Sequence, residues 1–283
     1  LFSYIKSPPV KRNQPAEAGV DRQLVRRVYH LRLRNARNFS RGAKGERILQ
    51  YWKTLPAIFL SRPNRFIAFC QLGEETVTVH VKNTGRCAEL LVPGCTVWLE
   101  PARTEGRKTP YDLIAVEKGE KLINMDAQAP NAVTEEALRD GSLCLPGIGR
   151  AETVKREVVF GDSRFDFYLE AGKKRAFLEV KGVTLEQEGI CKFPDAPTER
   201  GIKHIEELIR AKSAGYEAAL LFVIQMEEAR FLLPNDATHP AFGEALRQAE
   251  TAGVSILARN CRVTSDTLTL WEERPVYPSG IMA

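Results

Sequence analysis

The spacing of apolar residues divides the chain into stretches of different texture. Residues 1–20 (LFSYIKSPPVKRNQPAEAGV) are proline-rich and show no period, which predicts disorder. From Asp21 to about Arg37, Leu24, Val25, Val28 and Leu31 recur at helical spacing with six arginines among them, so a basic amphipathic helix is the most order expected there. From about Leu55 short alternating segments take over: NRFIAFCQL, TVTVHV, TVWLE and YDLIAVE, separated by turn signals at Gly73 and Pro93-Gly94. Such a succession of short strands predicts a small β-barrel of OB type over residues 58–120.

The remainder, residues 121–283, mixes helix and strand. INMDAQAPNAVTEEALRDGSL reads as a helix capped by Asn131 or Thr134, with Glu135 and Glu136 in its early turns and Gly141 at its end. Three strands follow as a meander, KREVVF, SRFDFYL and RAFLEVKGV, the first turn falling at Gly161-Asp162. A longer loop, TLEQEGICKFPDAPTERG, leads into a helix from about Ile202 to Ala214. The unbroken apolar run Ala218 to Ile224 marks a central buried strand. A helix near Pro240 to Ala252, a strand VSILA and a last strand near Leu268 complete an α/β (mixed α+β) order of α, βββ, α, β, α, β.

The last hairpin of the meander carries the candidate chemistry. With Gly172-Lys173 as a two-residue loop, Gly supplying the positive φ of a type II′ turn, Ala171 pairs with Lys174 and Asp166 comes to lie opposite Glu179. Lys181 shares their face, while Phe165, Phe167, Leu169, Ala176, Leu178 and Val180 fall on the other. Like charges directly opposite each other destabilise a sheet, and a divalent cation reverses that sign. Carboxylate oxygens suit Mg²⁺ (or Mn²⁺), and Lys181 would stand beside the metal to orient a water or offset charge on a phosphate oxygen. A solvated hairpin face with paired Glu and Lys is the plainer reading of the same residues.

Charge alone does not argue for nucleic acid. The chain carries +5 overall, with a pI near 8.9. Residues 1–53 hold 13 Lys and Arg against 3 Asp and Glu, whereas the remaining 230 hold 28 against 33. Only local patches can make that case: Lys82 and Arg86 flank Asn83-Thr84-Gly85, and Arg103, Arg107 and Lys108 crowd a second barrel loop, although loops are also where solvated charges collect. The basic segment, residues 1–57, reads as an arm for phosphate backbones, an arginine-rich targeting peptide or, our preferred reading, a loose extension. Six cysteines without a C-x-x-C pair, and only four histidines, argue against structural zinc and for free thiols in a reducing cytoplasm. No apolar run approaches the ~18 residues of a membrane span, so no membrane partner is expected.

The order of elements, with Asp on the second meander strand and E-x-K on the third, resembles the PD-(D/E)xK nuclease superfamily. In that fold the first helix often adds an acid, here Glu136 or else Glu135, and the helix after the third strand adds basic or polar groups, here Arg200, Lys203 and His204. Six segments in order resemble more narrowly the sugar fermentation stimulation protein A family: RPNRF at 62–66, NTG at 83–85, SRFDF at 163–167, LEVKGVTL at 178–185, FPDAPTERG at 193–201 and LLFVIQ at 220–225. The resemblance implies an OB-like domain joined to a PD-(D/E)xK-like domain, in a cytoplasmic DNA-binding protein that regulates maltose-related genes. The preference for DNA over RNA comes from this resemblance. The residues before RPNRF, and Arg86-Cys87 where the family commonly has a methionine, depart from the pattern.

FPDAPTERG can also be read on its own. Asp195 is placed to support the metal or one of its waters, Thr198 to cap the following helix, and Gly201 to allow close backbone approach. Two functions then compete. A hydrolase would hold Mg²⁺ on Asp166, Glu179 and the Val180 carbonyl and cut a phosphodiester with help from Lys181 and Glu136. A binding module would grip DNA through Lys82, Arg86, Arg200, Lys203 and His204 without turnover, since one fold hosts many functions. A regulator acting indirectly on sugar use is a third class, and no segment reads as a sugar site.

Overall fold

In the computed structural model, residues 49–280 are described, apart from Thr84 and Glu105. The disordered segment and basic helix expected before residue 38 lie outside the described residues, as does the middle of the NTG loop.

The barrel is closed by pairing across its ends. Strands β2 (Leu55–Ser61), β3 (Ile67–Leu72), β4 (Glu75–Val81), β5 (Thr96–Pro101), β6 (Tyr111–Lys118) and β7 (Lys121–Asn124) form a sheet in the order β4-β3-β2-β5-β6-β7. A parallel pairing of Val79–Val81 with Tyr111–Leu113 joins β4 to β6 and leaves a closed five-stranded barrel. Alternate residues point inward, so Phe59, Ala68, Cys70, Val79, Val97, Leu99 and Leu113 are buried. Closure pairs the strand edges that would otherwise be open.

The second lobe is built on a seven-stranded mixed sheet. Its elements are β1 (Leu49–Gln50), helix α1 (Ala129–Asp140), β8 (Thr153–Phe160), β9 (Ser163–Ala171), β10 (Lys174–Val183), helix α2 (Glu199–Ser213), β13 (Glu217–Ile224), helix α3 (Pro240–Thr251), β15 (Ser255–Val263) and β16 (Thr267–Glu273). The order is β1-β16-β15-β13-β10-β9-β8, with β10, β13 and β15 parallel and the outer pairs antiparallel. Helix α1 covers one face through Val133, Ala137 and Leu138 against Leu178, Val180, Leu221 and Val223. Helices α2 and α3 cover the other through Ile205, Leu208, Phe242 and Leu246 against Phe177, Leu220 and Phe222. Buried on both faces, β13 needs the apolar run its sequence shows.

Several expectations are corrected. The predicted loop after β10 holds two strands, β11 (Glu186–Gln187) and β12 (Ile190–Phe193), which join β14 (Phe231–Pro234), from the segment after β13, in a second, three-stranded sheet. The loose extension does not reach residue 57: β1 pairs with β16, Tyr51 is buried, and β2 begins at Leu55. Helix α1 is capped by neither Asn131 nor Thr134. It starts one residue before Pro130, whose missing N–H costs nothing in a first turn, and ends as expected at Gly141, φ 85°. Phe165 does not share a face with Phe167. It packs against Phe177, centroids 5.2 Å apart, because the regular side-to-side alternation of β9 breaks at Asp166. The β8–β9 ladder passes from Phe167 to Phe165 without pairing Asp166, and Glu157 across from it has φ 55°.

The two lobes are joined by buried polar groups, and the described residues form one compact unit. The Gln225 side-chain amide donates to Asn124 Oδ1 (2.9 Å) and to the Asp126 carbonyl (3.0 Å), and Asn124 Nδ2 donates to the Tyr51 hydroxyl (3.0 Å). Asp126 receives Lys82 from the barrel and the Gln128 N–H (2.9 Å) ahead of α1. A second clamp is Glu186, which accepts Lys118 Nζ (2.9 Å), Lys121 Nζ (2.5 Å) and the Gly189 N–H (2.5 Å). Burial would raise its carboxyl, but these donors outweigh it and bring the pKa down from 4.5 to about 2.

A carboxyl lowered on folding stabilises the protein above its unfolded pKa, and that contribution is lost as pH falls through the folded value. The Glu186 clamp therefore contributes about 3 kcal/mol at neutral pH, declining between about pH 4.5 and 2. Urea unfolding of wild type and Glu186→Gln across pH 2–7 should show a stability gap that closes over that window. A gap independent of pH would contradict the clamp.

Candidate metal and nucleic-acid site

The predicted register of the β9–β10 hairpin is the register observed. Ala171 pairs with Lys174 and successive pairs run to Phe167 and Leu178, with Gly172 at φ 57°. One step on, Asp166 and Glu179 come together at the point where the ladder breaks. Instead of a backbone pair, the Val180 N–H donates to Asp166 Oδ2 at 2.8 Å. The strand break thus turns a backbone donor onto a carboxylate.

Each carboxylate is held by a different set of neighbours. Asp166 Oδ1 accepts Asn131 Nδ2 from α1 at 2.8 Å. Burial first, and then the neighbouring Glu179 charge, push the Asp166 carboxyl above the usual range, against the pull of Val180, Asn131 and Lys181. Glu179 is 3% exposed, and its Oε1 receives Lys181 Nζ at 2.6 Å and His204 Nδ1 from α2. Burial would raise it, but His204 and Lys181 outweigh that and hold it below the usual range. Arg200 Nε points to His204 Nε2 at 3.3 Å, so the ring is fixed between an arginine and a carboxylate.

One oxygen is left over. Glu179 Oε2 is buried with no hydrogen-bond partner among the described residues. Buried carboxylate oxygens without a donor are costly, and a cation shared with Asp166 would relieve both that cost and the repulsion between the pair. Among the described residues no three His, Cys, Asp or Glu side chains converge as a metal cluster. A cation here would therefore draw on the two carboxylates, the Val180 carbonyl and water, a donor set that suits Mg²⁺.

The other predicted residues are placed less uniformly. Glu136 is half-buried and lies five residues beyond Asn131, about 140° further round α1; Asn131 is the residue of that helix whose side chain donates to Asp166. Glu135 pairs with Arg139 (2.8 Å) and Arg156 (3.1 Å) instead. His204 is buried against Glu179, not a surface cation, whereas Arg200 and Lys203 are exposed near the start of α2. Thr198 caps that helix as expected, its Oγ1 accepting the Gly201 N–H at 3.0 Å. Gly201 makes room for packing between helices: an added Cβ would stand 3.2 Å from the Phe242 ring. Lys82 is spent on Asp126, Arg103 pairs with Glu100 (3.1 Å), and Arg107 grips Asp112 with both nitrogens (2.7 and 3.0 Å).

Asp195 ties the barrel to the site region. Its Oδ2 accepts the Arg86 N–H at 3.2 Å and lies so close to Gly85 that an added Cβ would approach it to 2.3 Å. Arg62, in RPNRF, organises that loop. Its Nη1 donates to the carbonyls of Gly85 (3.0 Å) and Arg86 (2.8 Å), and its Nη2 to those of Arg65 (2.7 Å) and Asn83 (2.7 Å). The roles of Arg62 and Asn131 were missed from the sequence. Arg62 did stand in a singled-out motif, but Asn131 carried no signal beyond its place at a helix start.

A lysine presents its donors from one point and cannot span four carbonyls. Arg62→Lys should leave the barrel folded while amide hydrogen exchange at residues 83–86 accelerates by at least about tenfold. Unchanged protection there would show that the loop holds itself.

Comparisons with known proteins bear on the family and the fold. Residues 128–267 match the family model described as the sugar fermentation stimulation protein RE domain, and residues 60–125 match the SfsA N-terminal OB domain. A sugar fermentation stimulation protein homolog of Desulfitobacterium hafniense is 54% identical over 220 residues, covering 78% of this chain and 94% of that protein. One from Clostridium perfringens is 54% identical over 215 residues, covering 76% and 93%. Among solved structures, Pyrococcus furiosus SfsA in complex with Ca²⁺ superposes with a TM-score of 0.73 at 29% identity, over 82% of this chain and 99% of that one.

Proposed function

Since the chain belongs to the sugar fermentation stimulation protein family, we propose that it is a nucleic-acid-binding protein whose second lobe holds a divalent cation on Asp166 and Glu179 and hydrolyses a phosphodiester bond there. The observation that carries this reading is the buried Glu179 Oε2, unpartnered among the described residues, beside an Asp166 whose pKa is raised. Support comes from the relative solved with Ca²⁺, a hard cation taking oxygen ligands. Mg²⁺ or Mn²⁺ is the ion we assign to this chain, and DNA rather than RNA the partner. With these goes the family role, a cytoplasmic regulator of maltose and sugar-metabolism genes. No helix among the described residues is long and apolar enough to cross a membrane.

The ion, when bound, supplies Lewis-acid charge that offsets the negative charge growing on the phosphate. The chain's own residues do the rest. Asp166 and Glu179 bind it, with the Val180 carbonyl beside them. Asn131 and the Val180 N–H orient Asp166, and His204, braced by Arg200, fixes Glu179. Lys181 lies at the partly open edge of the pair, where its ammonium can orient a water toward phosphorus. Arg200 and Lys203, exposed in the first turns of α2, meet the strand's phosphates where the helix dipole also favours them.

A non-catalytic DNA-binding reading is favoured by one observation: Lys181 and His204 both already occupy Glu179 Oε1, which stabilises the pair without a metal. The two readings separate cleanly. Hydrolysis predicts Mn²⁺ binding by calorimetry that Asp166→Ala and Glu179→Ala each abolish, and Mg²⁺- or Mn²⁺-dependent cleavage of DNA that Lys181→Ala slows by about a hundredfold or more. Wild type that binds DNA yet leaves a broad panel of DNA and RNA uncut under both metals would retire the hydrolase.

A further inference from the structure

A small cleft opens just past Lys181, where β10 ends. Gly182, Thr184, Lys192, Phe193 and Asp195 form its floor and sides, and Asn83 reaches in from the barrel loop. Its volume is about 50 Å³. An aromatic ring needs a cavity of about 150 Å³, so neither a nucleobase nor a sugar ring fits, whereas a phosphate group or a few waters do.

The donors around the cleft are unspent. Lys192 is half-buried on β12, and among the described residues its ammonium has neither a carboxylate nor a hydrogen-bond acceptor. Asn83 Oδ1 accepts the Gly85 N–H at 2.8 Å, and its Nδ2 has no acceptor among the described residues. Asp195, the one acid on the wall, is turned to the loop, where its Oδ2 takes the Arg86 N–H. Arg62 gathers the carbonyls of Asn83, Gly85 and Arg86 onto itself and so holds Asn83 in place. A half-buried lysine without an ion pair among the described residues, lining the same cleft as an amide donor, is matched by an anion.

We propose that this cleft is a second phosphate subsite, in which Lys192 and Asn83 bind a backbone phosphate of the nucleic-acid strand whose neighbouring phosphodiester lies at Asp166 and Glu179. The inference rests on the nucleic-acid reading above and deepens it. Thr184 is three residues beyond Lys181, about 10 Å along an extended strand, so one continuous sugar–phosphate backbone can serve both places. It gives the NTG and FPDAPTERG segments a shared purpose: one brings Asn83 from the barrel, and the other receives that loop on Asp195. The subsite belongs to both lobes, and the interlobe polar clamps fix its width.

The test uses the full chain in EDTA, with fluorescence anisotropy of labelled single-stranded and duplex DNA across a salt series. Lys192→Gln should weaken binding by about tenfold and reduce the slope of log K against log salt by about 0.7 to 0.9, the loss of one phosphate contact. Asn83→Asp keeps the acceptor for Gly85 and replaces the donor with a charge, and should weaken binding at least as much. Lys173→Gln, at the far hairpin tip, should change neither quantity. If wild type binds and both cleft variants match it in affinity and slope, the subsite is wrong and the nucleic-acid reading stands. If wild type binds neither DNA, both fall.

Discussion

A buried carboxylate, Glu179, set beside a half-buried one, Asp166, is the constraint from which the rest of the second lobe follows. Asp166 and Glu179 cannot both carry charge in a dry interior unless donors or cations surround them. The fold supplies these from every adjoining element: Asn131 from α1, the Val180 N–H and Lys181 from β10, and His204 from α2 with Arg200 behind it. Even so, one oxygen of Glu179 lacks a partner among the described residues. A structure under pressure only for stability would favour apolar side chains at these positions. Retention of the pair, with one oxygen unsatisfied among the described residues, is what a cation site would account for.

The barrel is attached so that its loop borders that site. Gln225, Asn124, Asp126, Tyr51 and Lys82 form a buried polar junction, and Glu186 clamps Lys118 and Lys121 of the barrel's last hairpin. Because these groups are buried, parting the lobes would strand them unpaired, which makes the junction stiff and specific. Arg62 then shapes the loop at residues 83–86 against Asp195. The barrel contributes a positioned edge.

Local rules make much of this legible in the sequence. The turn at Gly172 fixed a hairpin register that is the observed one as far as Phe167 and Leu178, and the apolar alternation of the barrel strands predicted closure. Thr198 was readable as a cap because capping depends on residues three apart in sequence. What stayed hidden depends on distant approach. Asn131 looked like a cap, but Pro130 starts the helix without one and frees that side chain for a residue 35 positions away. His204 was expected on the basic helix that meets the strand, but its burial against Glu179 depends on an approach that nothing in its own helix shows. Strands β11 and β12, of two and four residues, are too short to display a period. The switch of Phe165 to the α2 side follows from the break at Asp166, which pleat counting cannot see.

The central claim is that Asp166 and Glu179 are a pair built for a cation, and a crystal of this chain grown with Mn²⁺ tests it most directly through anomalous scattering. The account predicts a peak within coordination distance of Glu179 Oε2 and Asp166, beside the Val180 carbonyl, that disappears in Glu179→Ala. An empty pair with Glu179 Oε2 hydrogen-bonded to ordered water, and Mn²⁺ elsewhere or absent, would contradict it.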